Sequence, residues 1–203
     1  EGHAKKDTKF FPIVGMNYGH FSLGKDGAQY QLYRAGDHTF SVGFEYEDGR
    51  DLGDLPKDKR GLGEVEGGVR ASLSGKFSLL EMLSLGLSVS KSMAHHQRFS
   101  AKASLGSVFP IYGKTILGRL GISSTWNDAE TNKRFYGVND KQSLDSGLST
   151  YRAGSGFKEH SYSLTSIYSI SRPLNLSLSV IYTKLHSDIA QSPVIARQDN
   201  MSV

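Results

Sequence analysis

From Met82 to Ser90 the chain reads Met-Leu-Ser-Leu-Gly-Leu-Ser-Val-Ser. Leu83, Leu85, Leu87 and Val89 alternate without a break against Ser84, Gly86, Ser88 and Ser90. Side chains of a strand alternate between its two faces, so this segment presents one aliphatic face and one small, polar face. The pattern returns at Leu174, Leu176, Leu178, Val180 and Tyr182, and again at Phe40, Val42, Phe44 and Tyr46 opposite Ser41, Gly43 and Glu45. Many such segments, none a continuous apolar run, predict a closed antiparallel sheet. Its aliphatic side could face either lipid or a second sheet, and that choice decides the function.

Composition leans toward lipid. A soluble sandwich of 203 residues carries a Val- and Ile-rich core, yet only 37% of this chain is hydrophobic and the mean hydropathy is -0.37. Glycine (23 residues), tyrosine (10) and phenylalanine (10) are well represented, a profile that suits a transmembrane barrel with a polar interior. No run of about 18 apolar residues exists to form a membrane helix, but a closed barrel also satisfies every backbone group in lipid. Cysteine is absent, which excludes disulfides and thiol chemistry. The net charge of +4 is modest and scattered; nucleic acid would require a larger patch of one sign. Glu1-Gly2-His3 opens the chain in polar sequence, so a secreted precursor would already have lost its leader.

Turn signals place strands at about 9–18, 20–24, 28–33, 39–47, 64–77, 82–91, 98–109, 115–126, 157–170 and 174–186, with another starting near Gln198. Short connections at Gly19, 34–38, 78–81, 110–114 and 171–173 alternate with longer ones at 48–63, 92–97, 127–156 and 187–197. Only 25–27 is a short member of the long set. Outer-membrane barrels show this asymmetry of short periplasmic turns and long outer loops. Aromatics fall into two belts: Tyr18, Phe21, Tyr33, Phe40, Phe77, Phe109 and Tyr168 at the short-turn ends, and Tyr46, Phe99, Trp126, Phe157, Tyr162 and Tyr182 at the long-loop ends. Rings of this kind seat at lipid–water interfaces.

An aliphatic face turned to lipid sends Glu45, Glu64, Glu66, Arg70, Lys102 and Arg119 into the lumen. Both signs are present there, which favours salt-paired ladders, Glu64 and Glu66 with Arg70 among them, and a plugged or narrow interior. The 127–156 loop is expected to be ordered and to fold over the mouth, with 140–146 as one or two helical turns closed by Gly147 and a recognition tip near 128–133. Apolar contacts are expected from Phe135, Tyr136, Leu144, Leu148, Tyr151 and Phe157.

Catalytic and metal chemistry find no foothold. His95 and His96 are adjacent and point to opposite faces of a strand, and no metal-ligand spacing or cysteine ligand accompanies them. No Gly-x-Ser-x-Gly elbow or phosphate loop occurs. A non-enzymatic protein without metal or cofactor is expected.

The long loops carry the most particular sequence. Phe135-Tyr136-Gly137-Val138 is followed by Ser146-Gly147-Leu148, by Tyr151-Arg152-Ala153-Gly154-Ser155-Gly156-Phe157, and later by Ser187-Asp188-Ile189-Ala190-Gln191-Ser192-Pro193-Val194. With Arg60-Gly61-Leu62-Gly63 ahead of them, these ordered motifs resemble the MipA/OmpV family of Gram-negative outer-membrane proteins, over nearly the whole chain. The chain departs from the family pattern in Phe135-Tyr136, where members have Tyr-Phe, and in Ile189-Ala190. The resemblance implies a single barrel domain over 1–203, an all-β up-and-down transmembrane fold of about 12 strands, with about 10 as the alternative. Glu1-Gly2 resembles the top of a family first strand, so the chain is expected to lack that strand and most of the last. The implied role is a scaffold joining a lytic murein transglycosylase to a bifunctional penicillin-binding protein in peptidoglycan growth. A narrow solute channel or an OmpV-type surface adhesin is the alternative. Lipid and lipopolysaccharide are the implied surroundings. The family supplies no binding residue to carry over, so Phe135, Tyr136, Gly137, Val138, Gly147, Tyr151, Gly154, Gly156, Ser192 and Pro193 stand only as an extracellular loop motif.

Overall fold

In a computed structural model the chain is described over residues 16–24, 27–93, 98–113, 115–171, 174–195 and 198–202. It forms one eleven-stranded sheet in which each strand pairs antiparallel with the next in sequence. The strands are β1 (Met16–Tyr18), β2 (Phe21–Gly24), β3 (Gly27–Ala35), β4 (His38–Glu47), β5 (Gly68–Leu80) and β6 (Leu83–Ser92). They continue as β7 (Phe99–Tyr112), β8 (Ile116–Asn127), β9 (Gly156–Ser171), β10 (Leu174–Leu185) and β11 (Asp199–Ser202). Among the described residues β1 and β11 are the edges, and no pairing joins them. The part of the expected first strand before Met16 and the His95–His96 pair lie outside the described residues.

Alternation sets the two faces. Phe44, Leu176 and Leu178 are each more than half exposed, whereas Arg70, Ser92 and Ser100 on the opposite face are buried. No large apolar side chain on any described strand is buried. A second sheet that would cover the aliphatic side, as a sandwich requires, is not among the described residues. Edge-on ring pairs mark both ends of the strands: Phe40 with Phe77 at 5.4 Å and Phe99 with Trp126 at 6.2 Å.

Several strand boundaries need correction: the strand expected to end at Tyr33 runs to Ala35, and the one expected to end at Phe77 runs to Leu80, shortening the connections that follow. The strand expected to begin at Glu64 begins at Gly68, because Val65 instead forms an isolated bridge with Arg50 that closes the preceding loop. The strand expected to end at Phe109 runs through Pro110 to Tyr112. A register shift between Pro110 and Tyr112 accommodates the proline at the strand end, where a missing N–H is tolerated.

Among the described residues, all helical structure lies on the long-loop side. Between β4 and β5 are 3-10 turns at Leu52–Asp54 and Lys57–Leu62. Between β8 and β9 are α1 (Ala129–Tyr136) and α2 (Asp140–Ser146), and after β10 comes α3 (Ser187–Ala190). No described helix is long and apolar enough to cross a membrane, which says nothing of crossing by strands.

Candidate functional site

The long loops build a compact cap with its own core. Leu55 and Leu62 from the β4–β5 connection meet Val138 from the β8–β9 connection and Val194 from the β10–β11 connection, with Leu148 and Tyr151 packed against them. Beside this lies a second cluster of Tyr136, Ala153 and Ile189 flanked by Phe135, Leu185 and Ile195. Loops distant in sequence are therefore joined by apolar burial, the ordinary driving force of a soluble core.

Local chemistry explains the cap helices. Asp128 accepts the Thr131 N–H at 2.8 Å, capping α1, which carries Glu130 in its first turn and Lys133 and Arg134 in its last; both suit the helix dipole. Asn139 and Gln142 form a reciprocal capping box on α2. Gly147 ends α2 in the left-handed region at φ 69, where glycine carries no Cβ penalty. Close approach of the first loop to α2 requires Gly61, since a Cβ there would meet the Asp145 backbone at 2.3 Å.

The motif residues converge within this cap. Val138 bridges Tyr151 through paired backbone bonds, and Ser192 donates its hydroxyl to the Tyr136 carbonyl at 2.5 Å. The Tyr151 hydroxyl donates to the Asp188 carbonyl; burial and nearby Asp188 push that phenol upward. Gly154 accepts from Asn132 at 2.8 Å and Pro193 from Lys59 at 3.4 Å. Gly137 follows α1, Gly147 follows α2, and Gly156 opens β9. The ordered motifs thus hold the loops together, and Phe135, Tyr136, Gly137, Val138 and Tyr151 also line cavities at the cap.

The 128–133 segment is not a loose tip. It is the first part of α1, and Thr131 and Asn132 are fully buried. Asn132 accepts from Asn127 at 3.0 Å, while Asn127 in turn accepts the Ser100 hydroxyl at 2.6 Å. Only Ala129, Glu130 and Lys133 of this stretch stay exposed. Leu144 makes no packing contribution and is 87% exposed on α2.

Beneath the cap, the polar face of β4–β9 surrounds a cavity of about 530 Å³ whose lining includes Glu45, Arg70, Ser90, Lys102 and Thr125, with Phe135 in its roof. Arg70 lies at the upper edge, ion-paired with Glu47 and at 3.7 Å from Glu45. Glu47 also holds Arg98 at 2.7 Å. Arg98 is almost wholly buried and lies 5.8 Å from the centre of the Phe135 ring. Burial pushes its guanidinium down and Glu47 counters part of that, while Arg134 and Arg70 add to the depression. Arg50, also buried, donates to the Phe135 carbonyl at 3.1 Å, and burial lowers its pKa.

Of the six charged residues expected inward, Glu45, Arg70 and Lys102 line this cavity, and Arg119 shares their face through its register with Val108 and Thr165. Glu64 and Glu66 precede β5 in the loop, with exposed side chains, and do not pair with Arg70. Glu47 and Glu45 take that role. Glu47 was legible, since it lies two residues beyond Glu45 on the same strand face. Arg98 shares the parity of Lys102 in the strand expected from 98, so its polar face was legible, but its partner Glu47 on a distant strand was not. Among the described residues no cluster of His, Asp and Glu could hold a metal ion.

No curated protein and no solved structure matches the chain. The family model described as "MltA-interacting protein MipA" matches residues 1–203, the whole length over which the cap motifs and the alternating strands are distributed, and the chain belongs to that family.

Proposed function

We propose that the protein is an outer-membrane β-barrel of a Gram-negative envelope, non-enzymatic, serving as a scaffold for murein-processing enzymes. The observation that carries the membrane part is the inverted sheet. Most of its large apolar side chains point outward along the long strands, with Val108, Leu117 and Ile167 as exceptions on the polar face, while among the described residues buried apolar packing is confined to the loop cap. In water such a surface far exceeds the apolar patch a monomer carries; in hydrocarbon it is the required exterior. Closure of the sheet into a barrel follows from the same argument, since open edges leave unpaired backbone groups that lipid cannot satisfy. Lipid and lipopolysaccharide are then the outward neighbours.

The scaffold part is supported by the family description, which names an interaction with MltA. On this reading the cap faces outward and partners approach from the short-turn rim, at 34–38 and 110–114. Cross-linking of intact envelopes followed by affinity recovery of the full-length protein tests it. Co-recovery of a lytic transglycosylase and a penicillin-binding protein is expected. Recovery of neither, from cells in which the protein fractionates with the outer membrane, would remove the scaffold role and leave the barrel.

A further inference from the structure

Every acidic side chain on the polar face of the described strands is committed to a partner. Glu45 and Glu47 serve Arg70, Glu47 also serves Arg98, and Glu159 lies 3.3 Å from Lys158. The cations are not all used. Lys76, Lys102 and Arg119 lie on the same polar face, and no carboxylate among the described residues stands within ion-pair distance of them.

Register places these three in a descending series. Lys102 pairs across β6–β7 with Ser88, which faces Ser74 on β5. Lys76 lies two residues beyond Ser74 toward the short-turn end, opposite Gly86. Arg119 lies further down, opposite Val108. At the roof Arg50 is buried and likewise has no carboxylate partner among the described residues. The residues between them are mostly small and hydroxylated, including Ser74, Ser84, Ser88, Ser104 and Ser123.

The expectation of a mixed, self-neutralising interior therefore needs revision. Both signs are present, but each carboxylate is tied to a cation, Glu45 and Glu47 beneath the cap and Glu159, in the register row of Lys102, to Lys158, which leaves Lys76, Lys102 and Arg119 without a carboxylate partner among the described residues. Lys and Arg left without a carboxylate partner along a pore wall favour anions. A wall that also supplies hydroxyl donors fits oxyanions through charge-assisted hydrogen bonds.

We propose that this wall binds small hydroxylated anions, carboxylate- or phosphate-bearing, with Lys102, Lys76 and Arg119 as successive contacts. The proposal rests on the barrel reading, since an enclosed sheet turns these side chains toward one another. The test is calorimetric titration of full-length protein folded in zwitterionic detergent, with glucuronate, inorganic phosphate and glucose as probes at constant ionic strength. Glucuronate or phosphate is expected to bind and glucose not, which also separates the carboxylate source from the phosphate one. Lys102→Gln or Arg119→Gln should weaken binding about tenfold, the loss of one charged hydrogen bond. The triple variant with Lys76→Gln should abolish it, and Lys91→Gln on the apolar face should change nothing. Absence of anion binding by protein that still shows a heat-dependent mobility shift, or unchanged binding by the triple variant, would overturn the site. Native protein without that shift would overturn the barrel reading and this proposal with it.

Discussion

The sheet and the loop cap obey opposite rules of burial within one chain. In the cap, Leu62, Val138 and Val194 are almost completely hidden, and the buried polar groups Thr131, Asn132 and Ser192 are hydrogen-bonded, as in a water-soluble core. In the sheet, Leu176 and Leu178 stand outward and Arg70 is buried. The same aliphatic side chains are thus used in two ways within one chain. The cap is solvated by water and needs an interior. The sheet, a single layer among the described residues, has its apolar side turned away from its own cavity, the arrangement that the proposed barrel requires.

Five substitutions would break or sharpen that contrast. The largest effect is expected at the joint between the two regions. Glu47→Gln leaves Arg70 and Arg98 without their shared carboxylate, and breaking a buried ion pair costs about 3–5 kcal/mol; denaturant unfolding in detergent should register it. Leu62→Ala empties part of the cap core and should cost about 2–5 kcal/mol. That loss should appear as faster proteolysis at Lys133 and Arg134 and faster amide exchange in 129–146, with the strands unaffected. If the strands lose protection equally, cap and sheet are not separable units.

Leu87→Arg should cost about 2–4 kcal/mol of folding free energy in lipid, the cost of a midplane guanidinium on a lipid-facing strand. Ser88→Arg, one residue on and lining the cavity, should fold with near-native yield. Equal yields would show that the two faces are misassigned. The smallest effect belongs to Gly147→Ala, which places a Cβ in the left-handed region at the end of α2. About 1–2 kcal/mol of local cap stability should be lost, read as amide exchange confined to 140–148.

How much was legible in the sequence follows the same division. The strands were readable because a period of two is a local property: Leu83 to Ser90 declares its faces without reference to any neighbour. The strand order followed from loop lengths alone. The α2 helix was readable from Asn139, Gln142 and Gly147, whose capping chemistry is also local. Asp128 with Glu130, Lys133 and Arg134 gives an equally local signal for α1, one that the expectation of an exposed tip at 128–133 passed over. What local patterns could not give was the packing of the cap. Val194 meeting Leu55, or Arg98 meeting Glu47, depends on which loops fold toward one another, and no periodicity encodes that. Val65 shows the conflict directly, since its alternation with Glu64 and Glu66 imitates a strand while its backbone pairs with Arg50.

The inverted sheet is tested most directly by asking what touches its two faces. The chain contains no cysteine, so Leu105→Cys and Ser104→Cys each supply a single labelling site at neighbouring positions of β7. With an environment-sensitive fluorophore on each, and the full-length protein folded into bilayers of brominated lipid, the label at 105 should be strongly quenched by lipid and shielded from aqueous iodide. The label at 104 should show the reverse. Lipid quenching at 104 with iodide quenching at 105, or equal iodide quenching at both, would contradict a membrane-facing aliphatic surface.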